Sequence, residues 1–410
     1  MKKYWLLLLL CFFSKAKAQT RDSLDIKIGQ MILIGMPSAA VDSLVLQEVT
    51  SGKVGSLIYF EKNIPKSTSA FAAFKKMSWT YQKAAPIPLF ICIDQEGGKV
   101  NRLKEKYGFT RSITAAAIGK FKSMDSVQFY AEATAATLAG LGINVNFAPC
   151  VDLLINPNNP AIAKSERSYS INEDTVTMYA KEVVRQHRKF GVVTALKHFP
   201  GHGSSKDDTH LGLADVTNTW SERELKPYRV LIDSGYVDGV MTSHIVNKNL
   251  DHKALPGTLS RSILDSILRK KIGFNGVVFS DDMQMKAIAS NYGLEEAIKL
   301  AVNAGVDIMC FSNNIMGVEN RTVDKVHDII KNYVTSGEIK KSRIDESFSR
   351  IMKLKKRVSP DWEVKTLKTQ NQQLAKLSEE EAAALKKANE EIEQLKSGKK
   401  SKKKKSKDKK

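Results

Sequence analysis

Ile272-Gly273-Phe274-Asn275-Gly276-Val277-Val278-Phe279-Ser280-Asp281-Asp282 holds a short, unbroken apolar run that ends on two carboxylates. A run of this length without polar alternation fits a parallel strand buried on both faces, here placed at 276–280. Runs of the same kind recur at 31–36, 55–60, 89–94, 143–148, 192–197, 239–243 and 307–311. Between them, 125–141, 174–190, 221–234, 260–271 and 294–304 carry helical patterning. Ser221-Glu222-Arg223-Glu224 reads as a capping box, with Glu224 three residues after the cap. Some eight strand–helix units in a chain of 410 residues predict an α/β fold, the TIM (β/α)8 barrel.

Barrels of this kind carry their chemistry at the C-terminal ends of the strands. Those ends are polar here: Asp94-Gln95-Glu96, Asp152, Lys197-His198, His244, Asp281-Asp282 and Asn313-Asn314. Proximity to solvent explains one or two carboxylates, but less easily Asp, His and Lys concentrated at several ends. The densest stretch is Lys197-His198-Phe199-Pro200-Gly201-His202-Gly203, followed by Asp208-Thr209-His210. Its glycines, serines and proline place it on a loop with freedom to move. Asp208 and His210, two apart, can form a carboxylate–imidazole pair that orients the ring and favours its protonated form. A histidine so held can give a proton to a leaving group and later take one from water. At the end of the 276–280 strand, neighbouring residues point to opposite sides, so at most one of Asp281 and Asp282 is expected to face the barrel axis.

The chain is 42% hydrophobic and 26% charged, with a formal charge of +20. Residues 361–410 hold 15 lysines against nine acidic residues, so +14 is spread over the remainder. A basic balance suits polyanionic partners. No DNA- or RNA-binding motif accompanies it, so nucleic acid is not an expected partner. Segment 361–396 places Leu367, Leu374, Leu377, Leu385, Ile392 and Leu395 at broken heptad-like spacing, which reads as a charged helix or weak coiled coil. The heptad is too irregular to specify self-association, and a monomer is expected. Residues 397–410 read as a disordered Lys-rich tail, suited to electrostatic contact with an anionic envelope surface.

Met1-Lys2-Lys3, an apolar run over 5–13 and the small-x-small site Ala16-Lys17-Ala18 predict a signal peptide at 1–18 and a mature start at Gln19. The protein is therefore expected to be exported, to the periplasm or beyond. The apolar run is too short for a permanent span. Leu8-Leu9-Leu10 precede Cys11 where a lipoprotein cysteine would follow small residues, which disfavours lipidation. Cys92, Cys150 and Cys310 lie in apolar runs and read as buried free thiols. No Cys-x-x-Cys or Cys/His spacing calls for a metal.

The stretches KHFPGHG…DTH, GFNGVVFSDD and Asp94-Gln95-Glu96-Gly97-Gly98-Lys99-Val100-Asn101-Arg102 resemble glycoside hydrolase family 3. More narrowly, they resemble its bacterial β-N-acetylglucosaminidases active on peptidoglycan fragments. The resemblance covers 26–354 and rests on separated motifs in the expected order, which puts a catalytic domain at 19–358. It implies a retaining β-N-acetylhexosaminidase that works by double displacement on a terminal N-acetylglucosamine of a carbohydrate substrate, with a role in envelope turnover. Asp281, directly after Ser280, would be the nucleophile. His210, paired with Asp208, would be the general acid/base in place of a second carboxylate. An imidazole suits that work because its unperturbed pKa, about 6.5, lies near working pH. Asp94 would hold sugar hydroxyls. Arg102, Arg167, Lys197 and His198 would line the sugar subsite, with His244 as a pocket-wall residue. The resemblance calls for no metal and no organic cofactor.

Two departures from the family pattern are small. Gln284 replaces a small residue three after the nucleophile, and Lys99 replaces an Arg. Neither removes a catalytic group. Three other readings share these residues: an N-acetylglucosaminide phosphorylase, a β-glucosidase and a lectin-like wall-binding protein without activity. The short chain and the Asp-x-His loop weigh against the glucosidase, and intact Asp281, Asp208 and His210 weigh against the lectin.

Overall fold

The computed structural model describes residues 23–67, 69–314 and 322–358, together with Ala383, Lys386 and Glu390. The expected signal peptide and Lys-rich tail lie outside the described residues, as does nearly all of segment 361–396. The chain divides into two compact units, 1–358 and 359–410. The first is a closed barrel of parallel strands. Its strands are β1 (Ile32–Gly35), β2 (Ser56–Tyr59), β3 (Phe90–Ile93), β4 (Val145–Asn146), β5 (Val193–Phe199), β6 (Gly239–Thr242), β7 (Val277–Asp282) and β8 (Ile308–Phe311). They follow one another in chain order around the barrel, and β8 closes on β1.

Every apolar run singled out in the sequence overlaps one of these strands, and β5 and β7 continue two residues beyond theirs. The reason is burial on both faces: strand interiors touch the barrel core inside and helices outside, so no polar alternation develops. Phe279 packs edge-on against Phe147 and Phe90, at centroid distances of 5.2 and 6.2 Å, and fills the barrel interior. The five expected helices are present as Met124–Gly140, Glu173–Lys189, Lys226–Asp233, the π-helix Ser262–Lys271 and Leu294–Ala304. Glu173–Lys189 shows why. Asn172 caps it by accepting from Thr175 N–H at 2.9 Å, and Val176, Ala180, Val183, Val184 and His187 face the barrel as one stripe. Ala70–Ala84, Val323–Ser336 and Lys341–Lys355 are among the further helices of the outer layer.

Two local expectations fail. Ser221-Glu222-Arg223-Glu224 does not form a capping box: Ser221 makes no side-chain cap bond, and a short 3-10 turn, Glu222–Leu225, precedes the helix. The Glu224 carboxyl is turned inward and accepts instead from Gly203 N–H at 2.9 Å. A buried amide far along the chain outcompetes the local one, because an unpaired buried donor is costly. The second failure concerns Asp281 and Asp282, which both border the same cavity. The β7–β8 register slips between the pairs Ile308↔Phe279 and Cys310↔Asp282, so an irregularity interrupts strict alternation there.

Cys92, Cys150 and Cys310 are free and buried, as the sequence suggested. Among the described residues no helix is long and apolar enough to cross a membrane.

Candidate active site

A cavity of about 370 Å³ opens at the C-terminal end of the barrel, over Phe147 and Met241. Its wall includes Asp94, Arg102, Arg167, Lys197, His198, Asp208, His210 and Asp281. These are the eight residues that the sequence put forward as catalytic or sugar-binding, and four different strand ends bring them together.

Lys197, the fifth residue of β5, is almost wholly buried and reaches across the barrel. Its Nζ lies 2.7 Å from Asp94 Oδ1 and 2.7 Å from Glu96 Oε1. Asp94 follows β3, and its other oxygen meets Arg102 Nη2 at 3.5 Å. Burial opposes the Asp94 charge, but Lys197 and Arg102 outweigh it and hold the carboxyl below its ordinary range. Arg102 in turn stacks over the Phe60 ring at 5.6 Å.

Glu96 also accepts from Arg167 through both oxygens, at 2.9 Å from Nε and 2.7 Å from Nη2. This fork fixes the guanidinium plane. Arg167 Nη2 then lies 3.0 Å from His198 Nε2. A guanidinium can only donate, so Nε2 accepts and Nδ1 carries the proton that goes to Asp152 Oδ2 at 2.6 Å. Asp152 also accepts from the backbone N–H of His198 and of His202, which ties the start of the His-rich loop to the end of β4.

Asp281 stands on the opposite wall. Burial would raise its carboxyl; the imidazoles of His244, His198 and His210 and the N–H of Asp282 outweigh that and lower it to about 2. Asp282, its neighbour, fares otherwise. Burial lifts it to about 6, although it accepts from Gln284 N–H, Ser312 N–H and the Ser312 hydroxyl. One residue of separation thus yields a carboxylate ready to act and a carboxyl committed to bracing β8.

His210 lies on the loop that leaves β5, with its side chain 62% exposed. Its Nδ1 pairs with Asp208 Oδ1 at 2.7 Å, and the same oxygen accepts from His210 N–H at 2.9 Å. The residue borders the cavity, and its Nε2 makes no hydrogen bond among the described residues.

His244 is not among the residues that line the cavity, so the pocket-wall assignment is corrected. It is buried behind them: Nε2 lies 2.9 Å from Asp282 O and Nδ1 2.7 Å from Thr258 Oγ1. Lys99 is exposed and pairs with Glu166 at 2.8 Å, while Gln284 Oε1 accepts from Asn313 N–H at 2.7 Å. Gln284 also donates its backbone N–H to Asp282 Oδ1 at 3.1 Å.

Cys150, Asp152 and His198 place potential metal-ligand atoms within 4.8 Å of one another, a cluster that sequence spacing did not announce. Its donors are already engaged. Asp152 accepts from two amides, from His198 Nδ1 and from Cys150 Sγ at 3.2 Å, and His198 Nε2 accepts from Arg167 at 3.0 Å. The set suits an imidazole brace better than an ion.

The sequence pattern of the glycosyl hydrolase family 3 N terminal domain matches residues 23–354. The chain belongs to this family. Among family 3 relatives, it is 31% identical to beta-hexosaminidase A of Pseudoalteromonas piscicida over 74% of its own length and 53% of that protein's. It is 31% identical to beta-hexosaminidase LpqI of Mycobacterium tuberculosis, over 80% of its length and 82% of that protein's. Among solved structures it is similar to a glycoside hydrolase family 3 beta-N-acetylglucosaminidase from Paenibacillus sp., with a TM-score of 0.77 and 34% identity, covering 83% of this chain and 64% of that one. The chain thus spans about half the length of the first of these relatives, 53%.

Within this family 3 barrel, three groups at the site went without a role in the sequence reading. Glu96 and Asp152 stood in the strand-end motifs, but nothing local says which cation or imidazole they brace. Glu224 carried the wrong signal, since its spacing from Ser221 suggested a local bond.

Proposed function

We propose that the protein is a retaining glycosidase that releases terminal β-linked N-acetylglucosamine. The observation that carries this is one cavity bordered by a carboxylate lowered to about 2, Asp281, and by an imidazole whose Nδ1 is engaged by Asp208. In this reading Asp281 attacks the anomeric carbon through an oxocarbenium-like transition state, while His210 protonates the departing oxygen. The same ring then takes a proton from water, and water releases the sugar with its configuration retained. Asp94, Lys197 and Arg102 form a fixed polar array for sugar hydroxyls, and Arg167 and His198 extend it. The names of the relatives point to the acetamido sugar.

Phosphorolysis is the less favoured reading. Each cation that borders the cavity already has a carboxylate partner: Lys197 has Asp94 and Glu96, Arg102 has Asp94, and Arg167 has Glu96. An incoming phosphate would have to compete for them. The proposal extends to the setting: the basic and apolar N-terminus supports export, and an exported enzyme of this specificity would act on envelope fragments such as those of peptidoglycan.

The deciding measurement sets nitrophenyl β-N-acetylglucosaminide against nitrophenyl β-glucoside, each with and without phosphate, and identifies the sugar released. Free N-acetylglucosamine, made faster than glucose and without phosphate, is the expected product. A sugar 1-phosphate would replace this reading with phosphorolysis, and preference for the glucoside would remove the acetamido assignment.

A further inference from the structure

Glu224 does not border the cavity, yet it is a carboxyl with 1% of the residue exposed. It sits on the 3-10 turn Glu222–Leu225, against the start of the loop that carries His210. Its Oε2 accepts from Gly203 N–H at 2.9 Å. Gly201 lies flat against the same side chain: with φ at +120°, a Cβ there would come within 2.5 Å of Glu224 Cβ. Gly203 is equally confined on its other side, where a Cβ would meet Leu153 O at 1.9 Å. The two glycines that give this loop its freedom are therefore clamped at its base, and Glu224 is one jaw.

The position is an expensive one for a carboxyl. Burial raises Glu224 to about 7, and Asp152, from the loop after β4, adds to the shift. Tyr228, one turn further on and also buried, is a further ionisable neighbour. Glu224 Oε1 and the Tyr228 hydroxyl have no hydrogen-bond partner among the described residues, and the Ser204 hydroxyl lies beside the carboxyl without the geometry of a hydrogen bond. An apolar side chain would avoid this desolvation but would orphan Gly203 N–H.

His210 lies seven residues beyond Gly203. Near the base Asn156 donates to Gly203 O at 3.1 Å and to Ser205 O at 2.7 Å, and Asn159 Nδ2 reaches Gly203 O at 3.4 Å; beyond Ser205 the bonds stay within the loop, Ser205 with Asp207, Thr209 with His202, and Asp208 with His210 and Leu211. Where His210 comes to rest over the cavity thus depends on the angle at which the loop leaves its base. We propose that Glu224 is a positioning residue of this loop: by holding Gly201 and Gly203 from the side opposite Asn156 and Leu153 it helps set the reach of the Asp208–His210 pair towards the scissile oxygen. The assignment rests on the reading of His210 as acid/base.

The test compares substrates whose leaving groups differ in their need for a proton. Dinitrophenyl β-N-acetylglucosaminide departs without one, whereas the disaccharide chitobiose requires one. Because kcat/KM reports events up to bond cleavage, Glu224→Ala is expected to lower it about 10- to 100-fold on chitobiose and less than about threefold on the dinitrophenyl substrate. Glu224→Gln, which keeps an acceptor for Gly203, is expected to restore both to within about threefold. Thermal unfolding of the same samples corrects each value to the folded fraction. Should Glu224→Ala not fold, Glu224→Asp, one methylene short of Gly203, takes its place. Equal loss on both substrates, or loss on neither, overturns the proposal. His210→Ala is measured alongside. If it shows no dependence on the leaving group, the acid/base reading fails and the Glu224 assignment goes with it. If it does show that dependence and Glu224→Ala does not, only the Glu224 assignment is overturned.

Discussion

The two ends of the barrel treat buried charge in opposite ways. At the N-terminal end, Asp307, directly before β8, accepts from Arg269, Arg343, Arg350, the Ser347 hydroxyl and Val278 N–H, at 2.7 to 3.2 Å. Asp238, directly before β6, takes Arg188, Arg357 and Thr194 in the same manner. These clusters close on themselves. At the C-terminal end Asp94, Lys197, Arg102 and Arg167, the last held by Glu96, form a half-shell around a cavity. A salt bridge contributes structure when every lone pair is filled by protein, and it becomes a binding surface when one side is left open. Composition at strand ends does not distinguish the two cases; enclosure does.

Substitution at the two ends should therefore separate cleanly. Asp281→Ala is expected to cost about 10⁴-fold or more in kcat on nitrophenyl N-acetylglucosaminide. Its unfolding midpoint should fall only modestly, because the imidazoles that favour the Asp281 carboxylate lose it but no buried arginine is left unpaired. A variant that turned over normally would strip Asp281 of its role and erase the contrast. At the other end, Asp307→Ala leaves three arginines facing one another and is expected to destabilise the protein by about 3–5 kcal/mol in denaturant unfolding. Its kcat/KM per folded molecule should match the parent; a matching loss of both would mean that the N-terminal clusters also shape the cavity.

The pH dependence sharpens the comparison with a smaller effect. Glu224 is raised from 4.5 to about 7 and Asp282 from 3.8 to about 6, so across these windows the folded protein holds protons that the unfolded chain has released. Stability contributed by these groups is complete at low pH, falls as pH rises through each window and levels off above it. Asp281, lowered to about 2, and Asp307, also lowered, work the other way: their stabilisation is present above the ordinary carboxyl range and is lost as acid protonates them. From Glu224 alone the loss between pH 4.5 and pH 7.5 is about 3 kcal/mol. Chemical denaturation across that range should show the decline, and Glu224→Gln should flatten it. An unchanged slope in the variant would mean that Glu224 titrates normally in the folded protein.

The barrel was legible because its strands are buried on both faces and so appear as plain apolar runs; 307–311 and 276–280 needed no context. Even β4, paired only over Val145 and Asn146, lay inside a run that could be read. The site residues were legible because each follows such a run. What escaped was tertiary. Asp281 and Asp282 could not be told apart by alternation, since a register slip against β8 breaks it. Glu224 matched a capping pattern with Ser221, and only the folded chain shows that Gly203, 21 residues earlier, claims its carboxyl. His244 kept a motif position but turned behind the wall, because Thr258 and the Asp282 carbonyl hold both of its nitrogens.

The three buried cysteines have a practical consequence. Burial pushes the thiols of Cys92, Cys150 and Cys310 well above their ordinary range, and none is bridged. Little thiolate forms, so these sulfurs are poor targets for oxidants and alkylating agents while the barrel stays closed. A thiol-reactive dye added to the protein would report the opening of the fold around these three buried sulfurs.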